Sequence, residues 1–315
     1  MTILNLLLLA ATICLVVAGA MVSTRYAERF ADSFYLSKYV VGFIVISFVS
    51  ILPETIIAVN ASLQGQAELG LGTLFGSNVA DLTLIIAILT LIAGKRKIKV
   101  EKAMLSKVKA YPLFLLIPLL LGMDGNYTRE EGLALIVAGV IFYVIVFRKS
   151  IGVPAERREK NHRLRHSLML LLGMALLLFG AHYTVVFATN VADALSVNPI
   201  LIGLLVVSLG TTMPELFFSA RAVKHKQDSL ALSDIMGAVL ADATIVLGIL
   251  AVISPFEFSR SVIFITGAWM LAASLVLIVL MRRKWNLTRG KGLILLAIWL
   301  CYVAVEIGYG VFLAK

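Results

Sequence analysis

The sequence predicts an all-α polytopic membrane protein: ten transmembrane helices in two inverted five-helix repeats, with broken helices at the midplane. Three observations predict it. Hydrophobic residues make up 60% of the 315 and charged residues only 15%, and apolar runs near or above the ~20 residues needed to cross a bilayer recur along the chain. Basic residues crowd into every second link between those runs. A stretch that puts a proline and a carboxylate inside an apolar run returns 161 residues later.

Residues 1–23 have the length of a signal peptide and carry Ala18-Gly19-Ala20 near their end. No Lys or Arg precedes their apolar core, so they read as the first transmembrane helix. Further spans are expected at about 36–63, 70–93, 103–122, 131–148, 166–187, 197–222, 230–253, 260–281 and 292–313. Turn formers such as Gln64-Gly65-Gln66 and Asp124-Gly125-Asn126 separate them. Residues 1–148 and 166–315 form two halves, joined by a basic linker over 149–165. Cys14 and Cys301 lie inside apolar runs and read as small buried hydrophobes rather than metal ligands or catalytic groups.

The net charge of +10 could suggest nucleic acid, but its distribution argues for membrane orientation instead. The odd-numbered links hold 25 of the 28 basic residues, from Arg25, Arg29 and Lys38 in the first to the cluster Arg282 to Lys291 in the ninth. The even side keeps Arg129, Arg260 and Lys315. The odd links are therefore expected in the cytoplasm and both termini outside. The lipid bilayer is the expected partner; the sequence points to no protein partner, no nucleic acid and no cofactor.

At an offset of 161, Gly42 meets Gly203, Ser47 meets Ser208, Ser50 meets Thr211, and Pro53-Glu54 meets Pro214-Glu215. The match continues without a gap: Gly76 meets Gly237, Ala80-Asp81 meets Ala241-Asp242, and Thr83 meets Thr244. Five helices per half is an odd number, so the second half enters from the opposite side, the architecture from which alternating access follows. An acid at membrane depth costs several kcal/mol unless it meets a partner, which marks Glu54, Glu215, Asp81 and Asp242 as part of an ion path. Proline removes a donor and bares the carbonyl one turn earlier, at Val49 and Gly210. Such oxygens suit hard cations.

Helical spacing places Ser47, Ser50 and Glu54 on one face, and Ser208, Thr211 and Glu215 on another. Ser77 and Asp81 also share a face; the second copy has Ala238 with Asp242. Gly72, Gly76 and Ala80, matched by Ser233, Gly237 and Ala241, form small-residue stripes that let helices approach closely.

Gly210-Thr211-Thr212-Met213-Pro214-Glu215 and Gly76-Ser77-Asn78-Val79-Ala80-Asp81 resemble the alpha-repeats of the cation/calcium exchanger superfamily, the prokaryotic sodium/calcium exchangers most closely. The resemblance implies an antiporter in a prokaryotic cell membrane that exports Ca2+ in exchange for Na+. It implies a calcium site between Glu54 and Glu215 with carbonyls of Ser50 and Thr211. Sodium sites would use Ser47, Ser50, Ser77, Ser208, Thr211 and Thr212, with Asp81 and Asp242 as the midplane acids. Three positions depart from the pattern: Val49 replaces a glycine, and Ile51 and Ala238 replace serines. Weaker or fewer sodium sites are therefore expected, with a Ca2+/H+ exchanger as the alternative.

Other residues take plainer readings. Glu306 is a single unrepeated acid that neighbours the pathway, meets a polar partner in the bundle or lies near an interface; Asp234 is expected near the cytoplasmic mouth. Asn60 and Asn78 read as interhelical hydrogen-bonding residues. The four histidines show no metal-ligand spacing. An intramembrane aspartyl protease built on Asp81 and Asp242 leaves Glu54 and Glu215 unexplained, and a gated cation channel fits inverted broken helices less well than a carrier does.

Overall fold

A computed structural model describes residues 2–32, 51–101, 110–148 and 163–313. The first helix, α1, is Thr2–Asp32, and α2 is Leu52–Leu63. Helix α3 begins as Ala67–Ala80, passes through a π turn at Asp81–Ile85 and ends as Ile86–Ala93. Next come α4 (Tyr111–Leu121), α5 (Arg129–Arg148) and α6 (Arg163–Leu195). Helix α7 is segmented: Pro199–Ile202, a π turn at Gly203–Val207, Ser208–Thr211, then Met213–Lys224 after a break at Thr212. Helix α8 repeats the plan of α3, with Asp228–Ala241, a π turn at Asp242–Val246, and Leu247–Ile253. The chain closes with α9, a π turn at Ile263–Gly267 leading into Ala268–Arg282, and α10, Arg289–Leu313.

Among the described residues, seven helices are long and apolar enough to cross a membrane. The span expected at 36–63 is described only from residue 51, and that at 103–122 only from 110. Two helices outrun their expected ends. The first continues past residue 23 to Asp32, with Tyr26 packed on His166 of α6 at 6.0 Å between ring centroids. Helix α6 runs past 187 to Leu195, because no breaker intervenes before Ser196, whose positive φ of 53° ends it.

The molecule is apolar outside, and its largely apolar core encloses a set of buried polar and charged side chains. In α3 and α8, 78% and 83% of the apolar window is buried, against 22% in α10. These two helices are therefore the central pair, and α1, α5, α6 and α10 present Leu7, Val137, Leu171 and Leu293 to the surroundings. Cys14 and Cys301 are exposed on that outer surface, not buried as expected, because each falls on the outward side of its helix.

Contacts across the molecule are reciprocal at the 161-residue offset. Helices α1 and α6 pack along their length. A Cβ at Gly19 would lie 2.9 Å from the Gly173 carbonyl, and one at Gly180 would lie 3.3 Å from the Thr12 carbonyl. Gly180 is Gly19 shifted by the offset and Gly173 is Thr12 shifted, so the interface is self-complementary. Two short antiparallel ladders are equivalent in kind but at offsets of 158 and 160 residues: Ile98 pairs with Leu287 and Lys99 with Asn286, while Asn126 pairs with Glu257 and Tyr127 with Phe256. Each ladder ties the exit of one central helix to the entry of an outer helix from the other half. Arg96 adds a further tie. It donates twice to Asp228, at 2.7 and 2.8 Å, and once to the Val223 carbonyl at 2.6 Å. The Asp228 hydrogen bonds raise the guanidinium above its ordinary pKa.

Candidate functional site

Two helix beginnings define the site. Helix α2 starts at Leu52 and the last segment of α7 at Met213, each with proline in its first turn followed at once by Glu54 or Glu215. Proline tolerates this position because the N–H it lacks would have no helical partner there. Pro214 also has no N–H to offer the Gly210 carbonyl. Both glutamates sit where the helix dipole favours negative charge. Close packing fixes the second break: a Cβ at Gly210 would overlap Ile13 of α1.

The two aspartates each open a π turn, at Asp81–Ile85 and Asp242–Val246. Such a turn frees a main-chain carbonyl from the regular ladder and is common at functional sites. Here a repeated threonine compensates. The Thr83 hydroxyl donates to the Val79 carbonyl at 2.5 Å, and the Thr244 hydroxyl to the Leu240 carbonyl at 2.6 Å. The geometry is duplicated along with the residues.

Glu54, Asp81, Glu215 and Asp242 are each 2% exposed or less. Glu54 lies within electrostatic reach of the other three, and the Thr211 hydroxyl lies within hydrogen-bonding reach of its carboxylate. One oxygen of each acid, Glu54 Oε2, Asp81 Oδ1, Glu215 Oε2 and Asp242 Oδ1, has no hydrogen-bond donor. No basic side chain pairs with any of the four among the described residues. Buried carboxylates without a partner cost far more than the fold could tolerate, so their charge is compensated by something that is not protein.

The hydroxyls are aimed to help. Ser77 donates to the Leu74 carbonyl at 2.9 Å, Ser208 to Leu204 at 2.5 Å, Thr211 to Ser208 at 3.0 Å and Thr212 to Leu209 at 3.1 Å. With the Ser77, Ser208 and Thr212 protons spent on their own helices, those oxygens keep lone pairs available to a cation, while the Thr211 proton has both the Ser208 carbonyl and the Glu54 carboxylate in reach. Helices α3 and α7 meet here: a Cβ at Gly76 would overlap the Leu204 carbonyl oxygen and come within 2.8 Å of Ser208 Oγ. The small-residue stripe packs as its spacing predicts. Among the described residues no three His, Cys, Asp or Glu side chains close into a preformed metal cage. The oxygens available are those of two glutamates at two helix starts, within electrostatic reach of one another, together with the hydroxyls named above.

Ser47 and Ser50 lie outside the described residues, as does Val49. Ile51 and Ala238, which replace hydroxyls, are both buried. Two expectations are corrected. Asn60 donates to the Ile56 carbonyl of its own helix at 2.8 Å, not across helices. Asn78 is fully buried with neither amide atom bonded, so it stands with the candidate ligands instead of holding two helices together. Asp234, expected near a mouth, is 1% exposed and within electrostatic reach of Asp81 and Glu215. Spacing alone could have found it: Asp234, Ala238 and Asp242 follow one another four apart on one face of α8.

The family model for sodium/calcium exchanger proteins matches residues 4–148 and 166–308. The chain belongs to the sodium/calcium exchanger family. Its relatives include the inner membrane protein YrbG of Escherichia coli, 28% identical over 92% of this chain and 95% of that one. They also include the sodium/calcium exchanger MaX1 of Methanosarcina acetivorans, 23% identical over 96% of this chain and 98% of that one. The structure of the sodium-calcium exchanger NCX_Mj soaked with Na+ and Sr2+ superposes with a TM-score of 0.69 at 25% identity, covering 96% of this exchanger and 99% of that chain. This exchanger is an integral membrane protein of a cation-antiporter family.

Proposed function

We propose that the protein is a secondary antiporter that exports Ca2+ in exchange for Na+ by alternating access, with the cargo bound between Glu54 and Glu215. One observation carries the reading: four buried carboxylates meet at two proline-started helices and two π turns that repeat at a single offset, and no protein cation compensates them. Two opposed glutamates match the charge of a divalent ion, and hard-oxygen ligands suit calcium. Asp81, Asp242, Ser47, Ser50, Ser77, Ser208, Thr211 and Thr212 would hold sodium when calcium leaves.

The reciprocal contacts of α1 with α6, and of the two short ladders, support a ten-span chain of two inverted halves, 1–148 and 166–315, with both termini extracytoplasmic. In that arrangement one half rocks against the other around a fixed site, exposing it to each side in turn.

Proton coupling is the second reading, and Ile51 and Ala238 favour it. With two hydroxyls gone, protons have to supply part of the charge compensation that sodium would otherwise give. The test is calcium flux in sealed proteoliposomes, first under an imposed sodium gradient and then under an imposed pH gradient. Flux driven by sodium alone supports sodium coupling, and flux driven by the pH gradient moves the assignment to a proton exchanger. Calcium movement with no counter-ion requirement would make the protein a channel.

A further inference from the structure

Away from the four-carboxylate centre, a cavity of about 260 Å3 opens between the start of α7, the 259–265 stretch and α10. Its rim residues Ser196, Asn198 and Ser259 are exposed, while Glu306, which also lines it, is only 4% exposed. The Thr266 hydroxyl donates to one Glu306 oxygen. No Lys, Arg or His lines the cavity. Arg260, next in sequence to Ser259, directs its Nε to the Asp124 carbonyl at 2.9 Å. One turn along α10, Tyr302 is buried with its hydroxyl unbonded. A carboxylate that is almost wholly buried therefore lines a cavity with largely apolar walls and a polar rim, with no basic side chain among its lining residues.

We propose that Glu306 anchors a second cation site, separate from the four-carboxylate centre, that takes a single monovalent metal ion of the sodium class. Charge decides the valence. One carboxylate balances one positive charge, whereas a divalent ion would keep an uncompensated charge in a buried place. The remaining ligands are neutral oxygens. Ser259 and Ser261 share one hydrogen bond at 2.7 Å, and Asn198 Oδ1 accepts from the Ile200 N–H at 2.9 Å, so each still has lone pairs to offer. Position suggests the use. Leu204 lines the cavity, and its carbonyl accepts the Ser208 hydroxyl. One wall of the cavity is thus one turn of α7 from Ser208, which places an ion held at Glu306 to move in when the central site empties.

The experiment is equilibrium binding of radioactive sodium to the purified full-length protein in detergent, with saturating calcium present to fill the central site. A single sodium equivalent per chain is expected to remain bound. Glu306→Gln should remove it, and the rim pair Ser259→Ala with Ser261→Ala, the first exposed and the second half-buried, should weaken it by about tenfold. Trp269, whose ring sits 6.4 Å from that of Tyr302, supplies a second readout: its fluorescence should follow sodium in the wild type and not in Glu306→Gln. Complete displacement of sodium by calcium would overturn the proposal, as would a residual equivalent unchanged by Glu306→Gln and by the rim pair. Because the central site is filled throughout, a failure at Glu306 is distinguishable from a failure of calcium binding at Glu54 and Glu215.

Discussion

Glu54 and Glu215 each keep an oxygen that meets no donor in a place water hardly reaches. Their role can be separated from their contribution to folding. Glu54→Gln or Glu215→Gln removes a charged ligand from a dehydrated divalent ion, and calcium transport is expected to fall by ~100-fold or more, equivalent to ~2.7 kcal/mol of binding. The fold should persist, because like-charge repulsion is relieved at the same time. Calcium at a hundredfold its dissociation constant stabilises a binding-competent protein by about 2.7 kcal/mol, so the wild type should show a calcium-dependent rise in melting temperature that both variants lack. Near-normal calcium affinity in either variant would move the site. A second residue-level prediction concerns Ala238 and Ile51. A serine at 238 has the Asp234 carbonyl four residues back to donate to, as Ser208 has Leu204, and would add a ligand oxygen beside Asp242. Ile51→Ser with Ala238→Ser is expected to steepen the dependence of calcium efflux on sodium. An unchanged sodium curve would mean that the missing hydroxyls do not set the coupling.

At the scale of elements, the π turns are the parts whose shape the site depends on. Thr83 and Thr244 each donate from within their π turn to a carbonyl four residues back. Thr83→Val and Thr244→Val keep shape and remove only that donor, leaving a buried carbonyl unpaired at a cost of about 1–3 kcal/mol each. Calcium binding should weaken as the aspartate two residues back loses its support, as thermal melting and calcium titration would report. Equal stability of variant and wild type would deny the hydroxyl its role. The crossing of α3 and α7 makes a sharper contrast. Gly76→Ala puts a methyl group into the Leu204 carbonyl and is expected to cost about 1–3 kcal/mol, with loss of transport. Gly308→Ala, in open space on α10, should stay within about 0.5 kcal/mol of wild type. Similar melting temperatures for the two would show that α3 and α7 can part without consequence.

For the whole molecule the question is orientation. The 25 basic residues of the odd links should all face the cytoplasm. Cysteines introduced at Ser150 and Asn161 should react with an impermeant reagent only from the cytoplasmic side, and one at Asn126 only from outside. Labelling of both links from one side would remove the inverted relation of the halves and, with it, the rocking motion. The two ladders and the Arg96 to Asp228 pair join elements from different halves. They are therefore the contacts that such a motion has to carry along or break.

By itself the sequence determined the all-helical membrane class, the offset of 161 and the four central acids, because each rests on a local rule: apolar length, charge per link, or spacing along a helix. Tertiary structure decided what depends on which neighbour a side chain meets. Nothing in the repeat announces that Asp81 and Asp242 open π turns, since a π turn is stabilised by packing and by a threonine bond rather than by propensity. Asn78 lost its bridging role, and Asp234 moved from an expected mouth to the interior, because the partners that would have settled either lie on other helices. Cys14 and Cys301 turned outward for a related reason: in a bilayer an apolar residue gains nothing by burial, so apolar character alone does not say which way it faces. Glu306 gained its cavity and its threonine from segments forty or more residues away, a convergence that no reading of one helix could contain.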